Sequence, residues 1–525
     1  MALADTQYPG SFLTTPSDIM AASQRYFTSL FSRSHRAPQS KPWLSSPSVR
    51  AIQTRTASDP FTWPKPMSLS DLRALLRKGN PRPAPGPDGW EKWWIKALSD
   101  SSLNLVLELL NFEIIHSCFP ASIATQKGAQ GRDLTSFFAQ LEAWSNRTRT
   151  PVYLLRRDQQ KGFDHLEPQG FYDAVSAYGL PSLLIDFDRA SQTDVPYIIK
   201  TAYGPTAPFM VSGVTKQGGP MSPLKSTLTT SLGNHWISDI SVASHDALII
   251  SSFQARCHCP HTPDDELVVQ PTMLEAMDDS TIISSSLAAC QRSCLMAERF
   301  QAAYGWCTNW SKSLLCLLNV PNPPGALELP TVDLLRPDDP TPRLQQVSVV
   351  TSHFEFLRVQ SNDPHAQFQK LRDVVLNFRL PVLHTRLPIT LLRRIFAQCL
   401  FSRLRPHLSF QPLRRSDAHA LDLLIASRIH EYLGFPFRFN STLLSLPLQY
   451  HGLDFPSVSR LNDSAAISGL VRDLNHHIPT FRSMARITLA DWMCTVNHCR
   501  YPLDGDGLRT SFSRSSRALP TSWII

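Results

Sequence analysis

The chain reads as an α+β protein. Three observations carry that reading: a short β-rich apolar run, Val152 to Leu155, that leads to Asp158; apolar residues on both sides of the Asp278-Asp279 pair in "MLEAMDDSTIISSS", a hairpin pattern; and a largely helical, arginine-rich pattern from about 366 to 480. The elements before and between these anchors follow from local chemistry.

Residues 1 to 66 are rich in Ser, Pro, Thr and Arg with little sustained periodicity, so an extended or disordered N-terminal arm is expected. At "SLSDLRALLRKGN", Ser68 or Ser70 can cap a short helix with Leu72, Leu75 and Leu76 on one side. "PRPAPGPDGW" breaks the chain, and "SSLNLVLELLNFEIIHSCF" has helical spacing up to Pro120. After Asp158 come a helix in "PQGFYDAVSAYGLP", a short strand in "TAYGPTAPFMV", and a glycine-rich turn from which a helix rises at Pro223. The Asp-Asp hairpin is followed by the helical "LAACQRSCLMAERFQAAYGW". No internal repeat is present.

With 525 residues and 42% hydrophobic content, the chain can fill several domains and a sizeable core. A formal charge of +8 makes a polyanionic partner plausible. No run of eighteen apolar residues occurs, and the first residues lack a basic segment followed by an apolar one, so neither a membrane span nor secretion is expected. The ten cysteines are scattered, as suits reduced thiols in the cytoplasm or nucleus. "CHCPH" (257–261) and "CTVNHC" (494–499) lack the paired spacing that closes a zinc site well.

Adjacent carboxylates repel and are costly to desolvate, so a partly buried pair such as Asp278-Asp279 calls for a cation. A lone Asp-Asp pair reads first as a solvated turn. Two other segments shift that balance. Asp158, at the end of an apolar strand, can point into a cleft, and "KQGGPMSP" supplies Lys216, Gln217, Gly218 and Gly219, whose glycines let the backbone approach a ligand closely. A strand-end Asp, a glycine turn into a helix and an Asp-Asp hairpin suit a site for two Mg²⁺ ions, with Mn²⁺ as a substitute, held by Asp158, Asp278 and Asp279 for phosphoryl transfer.

"APGPDGW", "DQQKGFD", "GVTKQGGPMSP", "EAMDDS", "YGWCTNWSKS" and "HFEFLRV" resemble, in order, the successive motifs of reverse transcriptases of non-LTR, LINE-type retrotransposons, and the likeness covers about residues 66 to 475. That resemblance implies a right-hand polymerase fold: truncated fingers over 67–150, a palm with an antiparallel sheet and flanking helices over 151–330, the palm end and a mostly helical thumb over 331–475, and a C-terminal extension over 476–525. It also implies an RNA-directed DNA polymerase that adds deoxynucleoside triphosphates to a DNA primer on an RNA template. By position, Asp158, Asp278 and Asp279 match the metal-binding aspartates, with Asp158 and Asp278 contributing most. Phe163 matches an aromatic gate against the ribose 2′-hydroxyl, its other reading being core packing; Gln217 and Gly218 match residues lining the nascent base pair. Lys312 matches the lysine that protonates leaving pyrophosphate, and its other reading is a solvated surface lysine. Asp164 reads as structural. Arg393, Arg394, Arg403 and Arg405, with Arg414 and Arg415, look like thumb arginines that follow a duplex backbone, against the alternative of a solvated helical face.

The sequence departs from that family in one large respect. A stretch of some tens of residues with strands and an Arg-Pro-Ile-like motif, which normally supplies basic groups for the incoming triphosphate, is absent between Pro120 and Thr125. Smaller departures are Ala276, where an aromatic is common, and Arg358, where glycine is usual. No stretch resembles an endonuclease or RNase H region, so either a priming nick is expected from another source or the chain is a fragment. The alternative reading is a catalytically inactive remnant or domesticated derivative that still binds nucleic acid, and a viral RNA-dependent RNA polymerase ranks behind both.

Overall fold

The computed structural model describes residues 3–4, 12–31, 36–58, 67–77, 96–104, 107, 131–160, 162–192, 196–210, 222–252, 268–276, 279–351, 355–356, 359–360, 363–380, 387–435, 440–497 and 523. Within the expected N-terminal arm it shows helices α1 (Pro16–Phe31) and α2 (Pro47–Ser58), with a turn at Pro42–Ser45 just before α2. The extended reading of 1–66 is therefore corrected for these spans. Trp43 is 2% exposed and packs against Trp236, Phe300 and Tyr304, and its indole Nε1–H donates to the Tyr304 hydroxyl at 2.8 Å. Lys41 adds an ion pair to Asp173 at 2.6 Å. These anchors lie more than a hundred residues away in sequence, where local periodicity carries no trace of them.

Helix α3 (Leu69–Arg77) begins at Ser68, whose Oγ accepts from the Asp71 N–H at 3.2 Å while Asp71 accepts from the Ser68 N–H at 3.0 Å. This reciprocal cap satisfies two orphan donors, and hydrogen bonds to the Asp71 carboxyl, first from the Ser68 hydroxyl and then from the Ser68 N–H, hold it below its ordinary value. Most of the "SSLNLVLELLNFEIIHSCF" helix and the Pro120–Thr125 junction lie outside the described residues.

Helix α4 (Gly131–Thr148) leads into β1 (Val152–Asp158), followed by α5 (Pro168–Ala177), α6 (Leu183–Gln192) and α7 (Ser222–Ala243). Then come β2 (Met273–Ala276), β3 (Asp279–Ser284), α8 (Leu287–Ala302), β4 (Leu314–Leu318), β5 (Ala326–Thr331) and β6 (Arg343–Val350). The strands form one sheet in the order β2-β3-β1-β4-β6-β5, antiparallel except for the β4–β6 pair. Within it, β1 and β2 run parallel with β3 between them, and β3 and β4 run parallel with β1 between them. The first four strands are therefore two interlocked split β-α-β units, an arrangement that puts β1 in the middle.

Strand alternation splits the core. One face of the sheet (Leu155, Ile282, Leu315, Leu317) packs on residues of α5, α7 and α8; the other (Val152, Leu154, Ile283, Cys316, Leu318) packs on Phe137, Phe138, Leu141 and Trp144 of α4. Helix packing is close on the first face: a Cβ on Gly233 of α7 would meet Phe300 of α8 at 2.6 Å. Because its apolar side covers the sheet, α4 belongs with the sheet rather than with the fingers span 67–150. The C-terminal extension likewise contributes Met484 and Ile487 to the same cluster.

A second core holds α9 (Pro364–Asn377), α10 (Ile389–Ile395), α11 (Phe401–Phe410), α12 (Arg415–Leu433) and α13 (Val458–Leu474), after which α14 spans Pro479–Asn497. A π turn at Phe396–Leu400 joins α10 to α11. The bundle is tied to α4 by a crossed pair of Arg-Asp dipeptides. Arg132 pairs with Asp473 at 2.7 Å, and Asp133 pairs with Arg472 at 2.5 Å and with His476 at 3.1 Å. A Cβ on Gly469 would meet the Arg132 guanidinium, so a larger residue there would push that side chain aside. Among the described residues, no helix is long and apolar enough to cross a membrane.

Candidate active site

Strand β1 ends at Asp158 and β3 begins at Asp279, and the two are direct register partners. Opposed residues on neighbouring antiparallel strands point to the same face, with Cα atoms roughly 4.5–5.5 Å apart. Two like charges directly opposite each other destabilise a sheet, and a nearby cation relieves that repulsion. The pairing explains how they meet: β2 and β3 run antiparallel up to the Ala276–Asp279 pair, and each of β1 and β3 carries its acid at that end of the sheet.

The backbone of Asp158 is held on both sides. Its N–H donates to Ser313 Oγ at 3.3 Å, and its carbonyl accepts from the Asn309 N–H at 2.7 Å. The same turn brings Lys312 Nζ to 3.7 Å from Asp158 Oδ2, with the lysine side chain 67% exposed and the aspartate 21%. An ion pair this exposed stabilises by about 1 kcal/mol at most, so the ammonium is free to leave Asp158 for another anion.

Hard oxygen donors converging at a partly exposed strand end fit Mg²⁺ or Mn²⁺, which take carboxylate and water ligands. Asp158 and Asp279 would hold such an ion. Asp278 lies outside the described residues, and among the described residues no group of three acidic, histidine or cysteine side chains is assembled for a metal. Gln217 and Gly218 also lie outside them, as do "CHCPH" and, for its side chains, "CTVNHC". The backbone of Phe163 runs in a short helix, Gly162–His165, pinned by the Trp306 Nε1–H to the Gly162 carbonyl at 2.5 Å; its ring is outside the described side chains. Asp164 is half-buried, and its charge adds to the burial that pushes the Tyr197 phenol up to about 12.

Two buried charged residues escape a reading of the sequence. Arg157, next to Asp158, is fully buried and pairs with Glu298 of α8. Lys225, in the first turn of α7, is 3% exposed and pairs with Asp188 of α6, which also accepts from the Tyr172 hydroxyl at 3.1 Å. The local signal for Arg157 is a second arginine inside an otherwise apolar strand; Lys225 leaves none.

No known family model and no curated protein matches this chain. Among solved structures it is similar to telomerase from Candida tropicalis in complex with a TWJ fragment of telomeric RNA, at 14% identity over 81% of this chain and 61% of that one, with a TM-score of 0.31. It is also similar to telomerase from Candida albicans in complex with such a fragment (11% identity, 71% and 54% covered, TM-score 0.28). A third likeness is to the C. tropicalis apo telomerase truncated from its C-terminal domain (13%, 45% and 44%, TM-score 0.27). The chain spans less than two thirds of the length of each of these, and a likeness this loose assigns neither fold nor activity.

Proposed function

We propose that this chain is built as an RNA-directed DNA polymerase of non-LTR retrotransposon type, with the sheet as palm and the α9–α13 bundle as thumb. The observation that carries the reading is the register of Asp158 with Asp279, with Lys312 beside Asp158, in a chain whose six motifs follow the order of that family. Two divalent ions, when bound, supply activation of the primer 3′-hydroxyl and stabilisation of the leaving pyrophosphate. Asp158, Asp278 and Asp279 would hold them. Lys312 would leave Asp158 and give its proton to the pyrophosphate oxygen, a transfer suited to an ammonium that is exposed and weakly held. Phe163 would exclude a ribose 2′-hydroxyl, and Gln217 and Gly218 would border the new base pair. RNA template, DNA primer and deoxynucleoside triphosphates are the partners this reading requires.

A second reading has its own support. The stretch that ordinarily grips the triphosphate is absent between Pro120 and Thr125, which favours a remnant that binds nucleic acid without copying it. Primer extension on an RNA template with Mg²⁺ separates the two. This chain should extend very weakly or not at all. A version with a fingers stretch inserted at that junction should extend, and Asp158→Asn or Asp278→Asn should abolish extension again. An inserted version that holds primer–template yet adds no nucleotide, or that extends equally well with Asp158→Asn, rules out the polymerase reading.

A further inference from the structure

Beneath the carboxylates lies a buried cation whose partners lead back to them. Arg157 is 0% exposed and, by strand alternation, faces the opposite side of the sheet from Asp158. Besides its ion pair to Glu298, its Nη2 donates to Gln301 Oε1 at 2.7 Å and to Thr308 Oγ1 at 2.8 Å. The Thr308 hydroxyl donates to Glu298 Oε1 at 2.5 Å, and Glu298 Oε2 accepts from Thr331 Oγ1 of β5 at 2.7 Å. Arg157 Nε and Nη1 have no hydrogen-bond partner among the described residues. A buried ion pair left partly unsatisfied holds a strand to a helix less well than apolar side chains of similar volume. Cohesion alone does not account for it.

Position does. Thr308 bridges Gln159, the residue after Asp158, and the next residue, Asn309, donates its N–H to the Asp158 carbonyl. The Asn309 carbonyl in turn accepts from the Lys312 N–H at 3.1 Å and from Ser313 Oγ at 2.9 Å, the hydroxyl that accepts from the Asp158 N–H. We propose that Arg157 is a positioning residue: through Thr308 it fixes the 308–313 turn, and with it the geometry of Asp158, which would hold a divalent cation, and of Lys312 beside it. The inference rests on the polymerase reading above and extends it to a group that touches neither metal nor substrate.

The test is Mn²⁺ titration of the full chain followed by electron paramagnetic resonance, with chemical denaturation run alongside. Removing Arg157 alone strands the Glu298 charge, so the informative variant is the double change Arg157→Met with Glu298→Leu, which keeps the volume apolar. It should fold with stability equal to the parent or higher and yet bind Mn²⁺ about tenfold or more weakly, the scale on which outer-shell groups act. Thr308→Val, which leaves both charges in place, should weaken Mn²⁺ in the same direction. Parental Mn²⁺ affinity in the folded double variant overturns the proposal; if that variant does not fold, parental affinity in Thr308→Val overturns it instead. Asp158→Asn is the control for the underlying reading: if it leaves Mn²⁺ binding unchanged, or the parent binds none, the metal site is refuted and the positioning role falls with it.

Discussion

Glu167 stands at the start of α5, where its side chain makes no capping bond and burial pushes its carboxyl up to about 7. A carboxyl whose folded value is raised binds its proton more tightly in the native state. Its contribution to stability is fully present below the unfolded value near 4.5 and is lost as pH rises towards 7. Glu167→Gln should therefore change stability little at pH 4 and raise it by roughly 1–2 kcal/mol at pH 8, after discounting for the part of the side chain that water reaches. Urea denaturation at the two pH values checks this, and an equal effect at both would remove burial as the cause. At this scale the sequence was readable where chemistry is local. Asp158 and Asp279 announce themselves by sitting at strand ends. Arg157 and Lys225 do not, because the partners that make burial tolerable, Glu298 and Asp188, come from other elements, in the first case 141 positions away.

Among the elements, those with a strong apolar stripe or a clear alternation were legible: β1, the β2–β3 hairpin, α5 and α8 appear where residue patterns put them. The N-terminal helices were not. In α2, "PSVRAIQTRTAS", Val49 is the buried hydrophobic residue, so no stripe marks it, and it is attached by Trp43 just before it and by the Ser48 bonds to Asp239 of α7. Similarly, α4 carries polar residues along its whole length, yet Arg132, Asp133, Ser136 and Gln140 are buried because α13 and α14 supply their partners. If Trp43 is the anchor, Trp43→Ala should cost about 3–5 kcal/mol, the usual range for deleting a buried indole from a packed core. It should also raise amide exchange across α2 more than across β1. A loss below about 1 kcal/mol in denaturation would mean that the N-terminal segment adheres only loosely to the sheet domain.

For the whole molecule, charge is distributed unevenly. Residues 374–416 contain eight arginines and no aspartate or glutamate, and that span covers much of the helical bundle. The structure divides these arginines into two kinds. Arg393 is half-buried, donates to the Leu453 carbonyl at 3.4 Å and lies 3.4 Å from Asp454. Arg379, Arg394, Arg403, Arg405, Arg414 and Arg415 are exposed, and Arg386 lies outside the described residues. Exposed guanidinium groups release condensed counterions when they meet phosphates, at a slope of about −0.9 in log K against log salt for each phosphate neutralised on a duplex. Changing five of them, Arg394, Arg403, Arg405, Arg414 and Arg415, to glutamine should therefore flatten the salt dependence of duplex binding by up to about 4.5 units, with a uniform loss of affinity across sequences. Arg393→Gln should leave the slope within about half a unit and instead lower stability by roughly 1 kcal/mol, because its work is to hold the 453–454 turn to the bundle. Fluorescence anisotropy on an RNA–DNA duplex from 50 to 300 mM salt reads both effects, with about 50 mM the point of strongest expected binding. A slope unmoved by the five-fold change would mean that nucleic acid lies elsewhere, and the bundle would then be a solvated basic surface rather than a thumb.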